Sequence, residues 1–314
     1  MRIVLLGATG FVGQHLLARL SGLGHHCVVL CRNVTRCRHL RLIPKVELRQ
    51  VPAISADTLG AVLPGADAVI NLVGILNERG RNGLGFRKVH VGTVECLIEA
   101  CRATGVRRVI HVSALNAGKG QSHYLQSKGK AEDLLRRAQF LDVTILQPSV
   151  IFGEGDSFFN RFAGLLKYLP IMPLACPSSK LQPVWVGDVT SAIGMVLERP
   201  STAGRTLELA GPKVYTLRDL VAWTARIMGL KRHIIGLPPA ISRLQGAVMD
   251  FVPGKPFSSD NFKSLQVDNV SQNNALPELG IQPISFKAVV SGYLVGAYQQ
   301  RRLDSWRHRA GDRR

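Results

Sequence analysis

The 314-residue chain is 46% hydrophobic and 19% charged, enough apolar material for one large globular domain or a domain with a lobe. Its 40 Lys and Arg against 21 Asp and Glu leave a formal net charge of +19, which favours an anionic partner such as a phosphorylated ligand, a membrane surface or an acidic protein. Nucleic acid is set aside, because only 6% of residues are aromatic and no Lys/Arg-only run or aromatic-studded basic region stands out.

From the N-terminus, short apolar runs alternate with helical patterns. "RIVLLG", "CVVLC", "VELRQV", "DAVINLVG", "RVIHVSA" and "DVTILQPS" are rich in Val, Ile and Leu and bounded by Gly, Asp or Pro, as buried parallel strands are. Between them "GFVGQHLLARLSGLG", "TVECLIEACRATG" and "YLQSKGKAEDLLRRAQ" repeat apolar residues at spacings of three and four. This βαβ series predicts an α/β fold, a doubly wound parallel sheet of Rossmann type over residues 1–150.

Residues 151–300 are expected to form a smaller C-terminal α/β lobe interleaved with the sheet. "FFNRFAGLLKYLPIMPL" reads as one helix ended by proline, "LQPVWVGDVTSAIGMVLERP" as a strand leading into a helix, and "YTLRDLVAWTARIMG" as an amphipathic helix capped by Thr216. The basic stretch 301–314 is expected to be frayed or partner-bound. No stretch reaches the roughly 18 apolar residues of a spanning helix, and "MRIVLLGATG" lacks the pattern of a secretory leader. The six cysteines show no paired CxxC spacing with histidines, so no metal site is expected and they read as packed thiols in a reducing compartment.

"GATGFVG" places Gly7, Gly10 and Gly13 between the first strand and the first helix. One glycine suits the tight turn, one the approach of a pyrophosphate, and one the contact of helix with strand, which is what a dinucleotide requires. Ala8, Thr9, Phe11 and Val12 complete this turn. At the end of the second strand an NAD-preferring site would carry an acid for the ribose 2′-hydroxyl. Arg32 stands there instead, followed by Asn33 and then Arg36; guanidinium suits a 2′-phosphate, so NADP(H) is favoured over NAD(H), the alternative being a solvated loop arginine. Asn71, Val73 and Gly74 in "NLVG" and Pro148 at the sixth strand end are placed along the same crevice.

Further along, Tyr124 and Lys128 stand four apart in a predicted helix, on one face. A neighbouring ammonium is expected to draw the tyrosine phenol down from about 10 toward working pH. GxxGxxG, NxxG and this YxxxK together resemble the extended and atypical short-chain dehydrogenase/reductase superfamily. "ILQPSVIFGEGDSFFNRFA", "LPIMPL", "LQPVWVGDV" and "LPPAISRLQGAVMDFVPGKPFSSDN" are similar to the branch of the 39 kDa-type accessory subunit of respiratory complex I and its bacterial single-protein relatives.

The resemblance implies Tyr124 as proton donor or acceptor and Lys128 at the nicotinamide ribose, with Ser113 a further catalytic candidate whose hydroxyl is open to the core or to the cofactor backbone instead. It also implies departures. Ala114 takes the position where a fully catalytic member carries its hydroxyl, His90 stands where Asn is usual, and Gln147 replaces the Arg of "RPS". His90 reads either as a proton relay or as a hydrogen-bonded helix histidine.

Three functions follow: an NADP(H)-binding protein with an oxidoreductase or cofactor-sensing role, an active reductase or nucleotide-sugar epimerase, and a non-catalytic assembly module stabilised by its dinucleotide. The apolar, Pro- and Gly-interrupted stretch 233–256, flanked by Lys231, Arg232, Arg243 and Lys255, fits either a lobe packed on the sheet or a surface for lipid, quinone or an acidic membrane. The expected setting is cytoplasmic or peripheral on the inner membrane, with a respiratory-complex or homo-oligomer partner.

Overall fold

The computed structural model of the protein describes residues 1–253 and 255–294; the basic tail over 301–314 lies outside the described residues. The six apolar runs form β1 (Arg2–Leu6), β2 (His26–Cys31), β3 (Val46–Gln50), β4 (Ala68–Asn71), β5 (Arg108–Val112) and β6 (Asp142–Pro148). A seventh strand, Thr206–Leu209, lies beside β6, and the sheet runs Thr206–Leu209, β6, β5, β4, β1, β2, β3. Every pairing in it is parallel. The strand order reverses between β1 and β4, which opens a crevice at their carboxyl ends. The seventh strand is absent from the sequence-based expectation because it forms an edge. Its Leu207 and Leu209 are buried while Thr206 is exposed, so it shows no continuous apolar run.

Helices cover both faces of the sheet. On one face α1 (Phe11–Gly22) and the helix Val186–Glu198 bring Leu16, Leu20, Val189 and Ile193 onto Ile3 and Leu5 of β1. On the other, the helices Gly92–Thr104 and His123–Arg137 bring Val94, Leu97, Ala131 and Leu135 onto Val4 and Leu6. Successive side chains of a strand point to opposite faces. A strand feeding two cores therefore has to be apolar throughout, which is why "RIVLL" shows no alternation.

The lobe is built around Phe159, Leu166, Leu220 and Val221. Thr216 caps the helix Leu217–Ile227 in a reciprocal capping box with Asp219. "FFNRFAGLLKYLPIMPL" divides where one helix was expected: the helix is Phe159–Tyr168, and Ile171–Leu174 pairs in parallel with His233–Gly236. Pro170 and Pro173 lack the amide that a continued helix needs. The helices Pro239–Met249 and Ser259–Ser264 complete the lobe. Among the described residues, no helix is long and apolar enough to cross a membrane.

Candidate functional site

A cavity of about 1130 Å³ follows the carboxyl ends of the strands and continues beneath the lobe. Its first wall is the glycine turn. Gly7 has φ +76°, and a Cβ there would lie 2.9 Å from the backbone of Leu72 and Val73, so only glycine lets the turn press against the end of β4. A Cβ on Gly13 would meet Ala8 Cα at 2.3 Å, so its absence sets how closely α1 approaches the turn. Gly10 is the N-cap of α1 without a side-chain capping bond, and the first turn holds no acid. The amides at the head of this helix therefore remain available to an anion.

Gly7, Thr9, Gly10, Phe11, Val12, Gly13, Arg32, Val73, Gly74, Ser113, Tyr124, Lys128 and Pro148 all line this one cavity. Ala8, Asn33 and Asn71 stand outside its wall, each for a local reason. Ala8 is buried in the core. Asn33 Oδ1 accepts from Arg36 N at 3.2 Å and so caps the short helix Val34–Cys37. Asn71 is buried, with Nδ2 3.1 Å from His111 Nδ1 and Oδ1 accepting from Val73 N at 3.0 Å, so it shapes the turn after β4. The charged side chains in the wall are Arg32, Lys88, Lys128 and Arg161, with no carboxylate among them. Arg32 is exposed at the rim.

Lys128 is 4% exposed and donates to Val112 O at 3.1 Å and Val73 O at 3.4 Å, pinned between the ends of β4 and β5. Burial pushes its ammonium down to about 8, partly opposed by Glu132. His90 lies in a π-helical turn, Arg87–Val91. Its Nε2 accepts from Ile75 N at 3.2 Å, which puts the proton on Nδ1, 2.7 Å from Ser127 Oγ; that hydroxyl donates in turn to Tyr124 O at 2.8 Å. Burial, reinforced by Lys128, lowers the imidazole to about 3. Of the two readings of His90, the hydrogen-bonded one holds: a neutral ring ties the β4 turn to the helix carrying Tyr124.

Tyr124 is half-buried and packs edge-on against Phe86 and His90. Burial pushes its phenol up to about 12, opposite to the expected direction. Burial is the cause; Lys128, four residues on, donates to two strand-end carbonyls. Ser113 is 5% exposed, and its Oγ has no partner among the described residues. An orphaned hydroxyl in the wall fits a ligand oxygen. Gln147 donates to Glu132 at 2.8 Å, so its exchange for arginine serves the helix rather than the cavity.

One contributor lies far off in sequence. Asp260 accepts from Ser122 Oγ at 3.0 Å, His123 N at 2.6 Å and Tyr124 N at 3.1 Å, capping the helix that presents Tyr124 and Lys128. Only Ser122 was open to local inspection as a cap. Arg161 and Lys88 were also missed, since a lone cation in a chain rich in them carries no signal.

An NAD(P)H-binding family matches residues 7–157. The NADH dehydrogenase (ubiquinone) 1 alpha subcomplex subunit 9 of Mus musculus is 31% identical over 290 residues, covering 88% of this chain and 75% of the relative. A ceramide reductase of Caulobacter vibrioides is 27% identical, covering 79% of this chain and 77% of the relative. A dTDP-glucose 4,6-dehydratase of Streptomyces venezuelae, solved with NAD bound, shares the fold at a TM-score of 0.74 and 20% identity, covering 96% of this chain and 98% of that one. With the glycine-turn crevice and the Tyr124–Lys128 helix in place, the chain belongs to the family of the complex I 39 kDa-type accessory subunit, a nicotinamide-dinucleotide-binding branch of the short-chain dehydrogenase/reductase fold.

Proposed function

We propose that the protein is an NADP(H)-dependent oxidoreductase acting at a membrane surface. The supporting observation is that the glycine turn, Arg32, Ser113, Tyr124 and Lys128 converge on one cavity whose wall holds no carboxylate. The nucleotide is assigned to residues 1–150 and the substrate and partner to the C-terminal lobe, which is interleaved with the sheet: the strand Thr206–Leu209 and the helix Val186–Glu198 belong to the sheet layer. Arg32, exposed at the rim where an acid would select NAD(H), meets a 2′-phosphate with a planar pair of donors. When bound, a reduced nicotinamide supplies a hydride to a carbonyl carbon. Tyr124, kept protonated by burial, delivers the proton to the carbonyl oxygen, leaving a carbinol. Lys128, whose Nζ lies 3.3 Å from where a Cβ on Gly74 would be, would hold the ribose hydroxyls of the bound nucleotide, and the unpartnered Ser113 would orient an oxygen. The ceramide reductase among the relatives supports turnover in this fold.

The membrane part of the reading rests on the outer face of the lobe. Ile171, Ile235, Ile241, Leu244, Val248 and Phe251 are all exposed, as are Lys167, Lys231 and Arg243, which lie within four residues of members of this set in sequence. Apolar side chains among cations suit an anionic bilayer, which supports a peripheral seat on an inner membrane. A second reading, favoured by Ala114 at the usual hydroxyl position and by respiratory-subunit relatives, gives that face to a respiratory-complex or homo-oligomer partner and leaves the dinucleotide structural.

Nucleotide released by acid from the purified protein and identified by mass is expected to be NADP(H); NAD(H), or neither form binding, overturns the cofactor choice. Tyr124→Phe should slow NADPH-dependent ketone reduction by about 10²–10⁴-fold at unchanged cofactor affinity. Equal rates would remove Tyr124 from the chemistry and leave the structural reading.

A further inference from the structure

Beyond Tyr124 the cavity wall turns apolar, with Phe158, Phe162, Leu165, Met172, Met249 and Phe257. One charged side chain stands among them, Arg161 on the helix Phe159–Tyr168. It is half-buried, and Nη1 donates to Pro256 O at 3.0 Å. That is its hydrogen bond among the described residues, and none of their ion pairs includes it. A guanidinium has five N–H donors in a planar fork, so most of this one is unanswered by the described residues. Burial acts against its charge, and a partly desolvated cation without a counter-charge is unfavourable until an anion reaches it. A carboxylate or phosphate matches the fork with two parallel bonds.

The same end of the cavity approaches the outer face. Gln245 and Met249 of the helix Pro239–Met249 line the cavity, while Ile241, Leu244 and Val248 on the adjoining face of the same helix are 49%, 61% and 55% exposed. One helix thus borders both the apolar chamber and the apolar surface. Leu169, 37% exposed, belongs to both.

We infer that this chamber takes an anionic amphiphile, its hydrocarbon chain against Phe158, Phe162 and Met249 and its carboxylate or phosphate monoester on Arg161. The inference rests on the dinucleotide reading for the other end of the cavity, so the probes are tested with NADPH saturating the glycine turn. Displacement of cis-parinaric acid, followed by its fluorescence, should need about tenfold less dodecyl phosphate or dodecanoate than 1-dodecanol; the more potent of the two anions identifies the head group.

Arg161→Met should erase the preference and Arg161→Lys should keep most of it, with NADPH affinity unchanged in both. Leu244→Asp, on the outer face, should also keep it. Equal potency of alcohol and anions in the wild type, survival of the preference in Arg161→Met, or its loss in Leu244→Asp would each overturn the inference. Failure of NADPH to bind the wild type, with the anion preference intact, would defeat the cofactor reading alone.

Discussion

The two ends of the cavity are made of different material. The nucleotide end is backbone: a left-handed glycine, an uncapped helix head and two strand-end carbonyls holding Lys128. The far end is side chains drawn from the helix Phe159–Tyr168, the strand Ile171–Leu174 and the helix Pro239–Met249. Backbone geometry tolerates little substitution, because an added atom meets another main chain; a side-chain wall can be repacked if its volume is kept. One fold can therefore hold a common cofactor end while the opposite end changes its ligand.

The sharpest way to break this contrast is Gly13→Val. Its Cβ would fall 2.3 Å from Ala8 Cα with no flexible side chain to give way, so α1 must move off the turn. Dinucleotide binding measured by NADPH fluorescence should be lost, with about 3 kcal/mol or more removed from unfolding stability in urea. A matched change in the other wall, Met249→Leu, should cost less than about 1.5 kcal/mol and leave NADPH affinity intact. Similar losses in both variants would show that the two ends are not built differently.

The same contrast explains what the sequence disclosed. Gly7, Gly10 and Gly13 fall within seven residues after a strand, and Tyr124 and Lys128 share one helical turn, so local spacing was enough to place them. Asn71 and Asn33 had the right neighbourhood, but their side chains answer backbone amides. The phenol of Tyr124 moved against expectation because spacing says nothing of how deeply the fold buries it. Arg161, with its partner Pro256 ninety-five residues away, depends on tertiary packing.

A middle-sized effect concerns the outer face. Leu244→Asp combined with Val248→Asp replaces two exposed apolar side chains, 61% and 55% accessible, with acids. The wild type should float with liposomes of anionic lipid at low salt, and the double variant should stay at the bottom with its NADPH affinity unchanged. Equal flotation would move membrane contact away from this helix, and a wild type that never floats would favour a protein partner on the same face.

The smallest expected effect joins the two ends. Asp260 belongs to the lobe, yet its carboxylate takes both the His123 and Tyr124 amides and the Ser122 hydroxyl, so the helix presenting Tyr124 begins on a group supplied from the far side of the cavity. Asp260→Ala should cost about 1 kcal/mol, lowering the melting temperature by about 2 °C. Asp260→Asn keeps one acceptor oxygen and should recover part of that loss. If Asp260 also sets the position of Tyr124, the alanine variant slows ketone reduction further than its stability loss explains, while NADPH affinity, which depends on the glycine turn, stays constant. A rate that is unchanged in fully folded Asp260→Ala would leave the carboxylate as a cap alone, and the two ends would then be coupled only through the cavity they share.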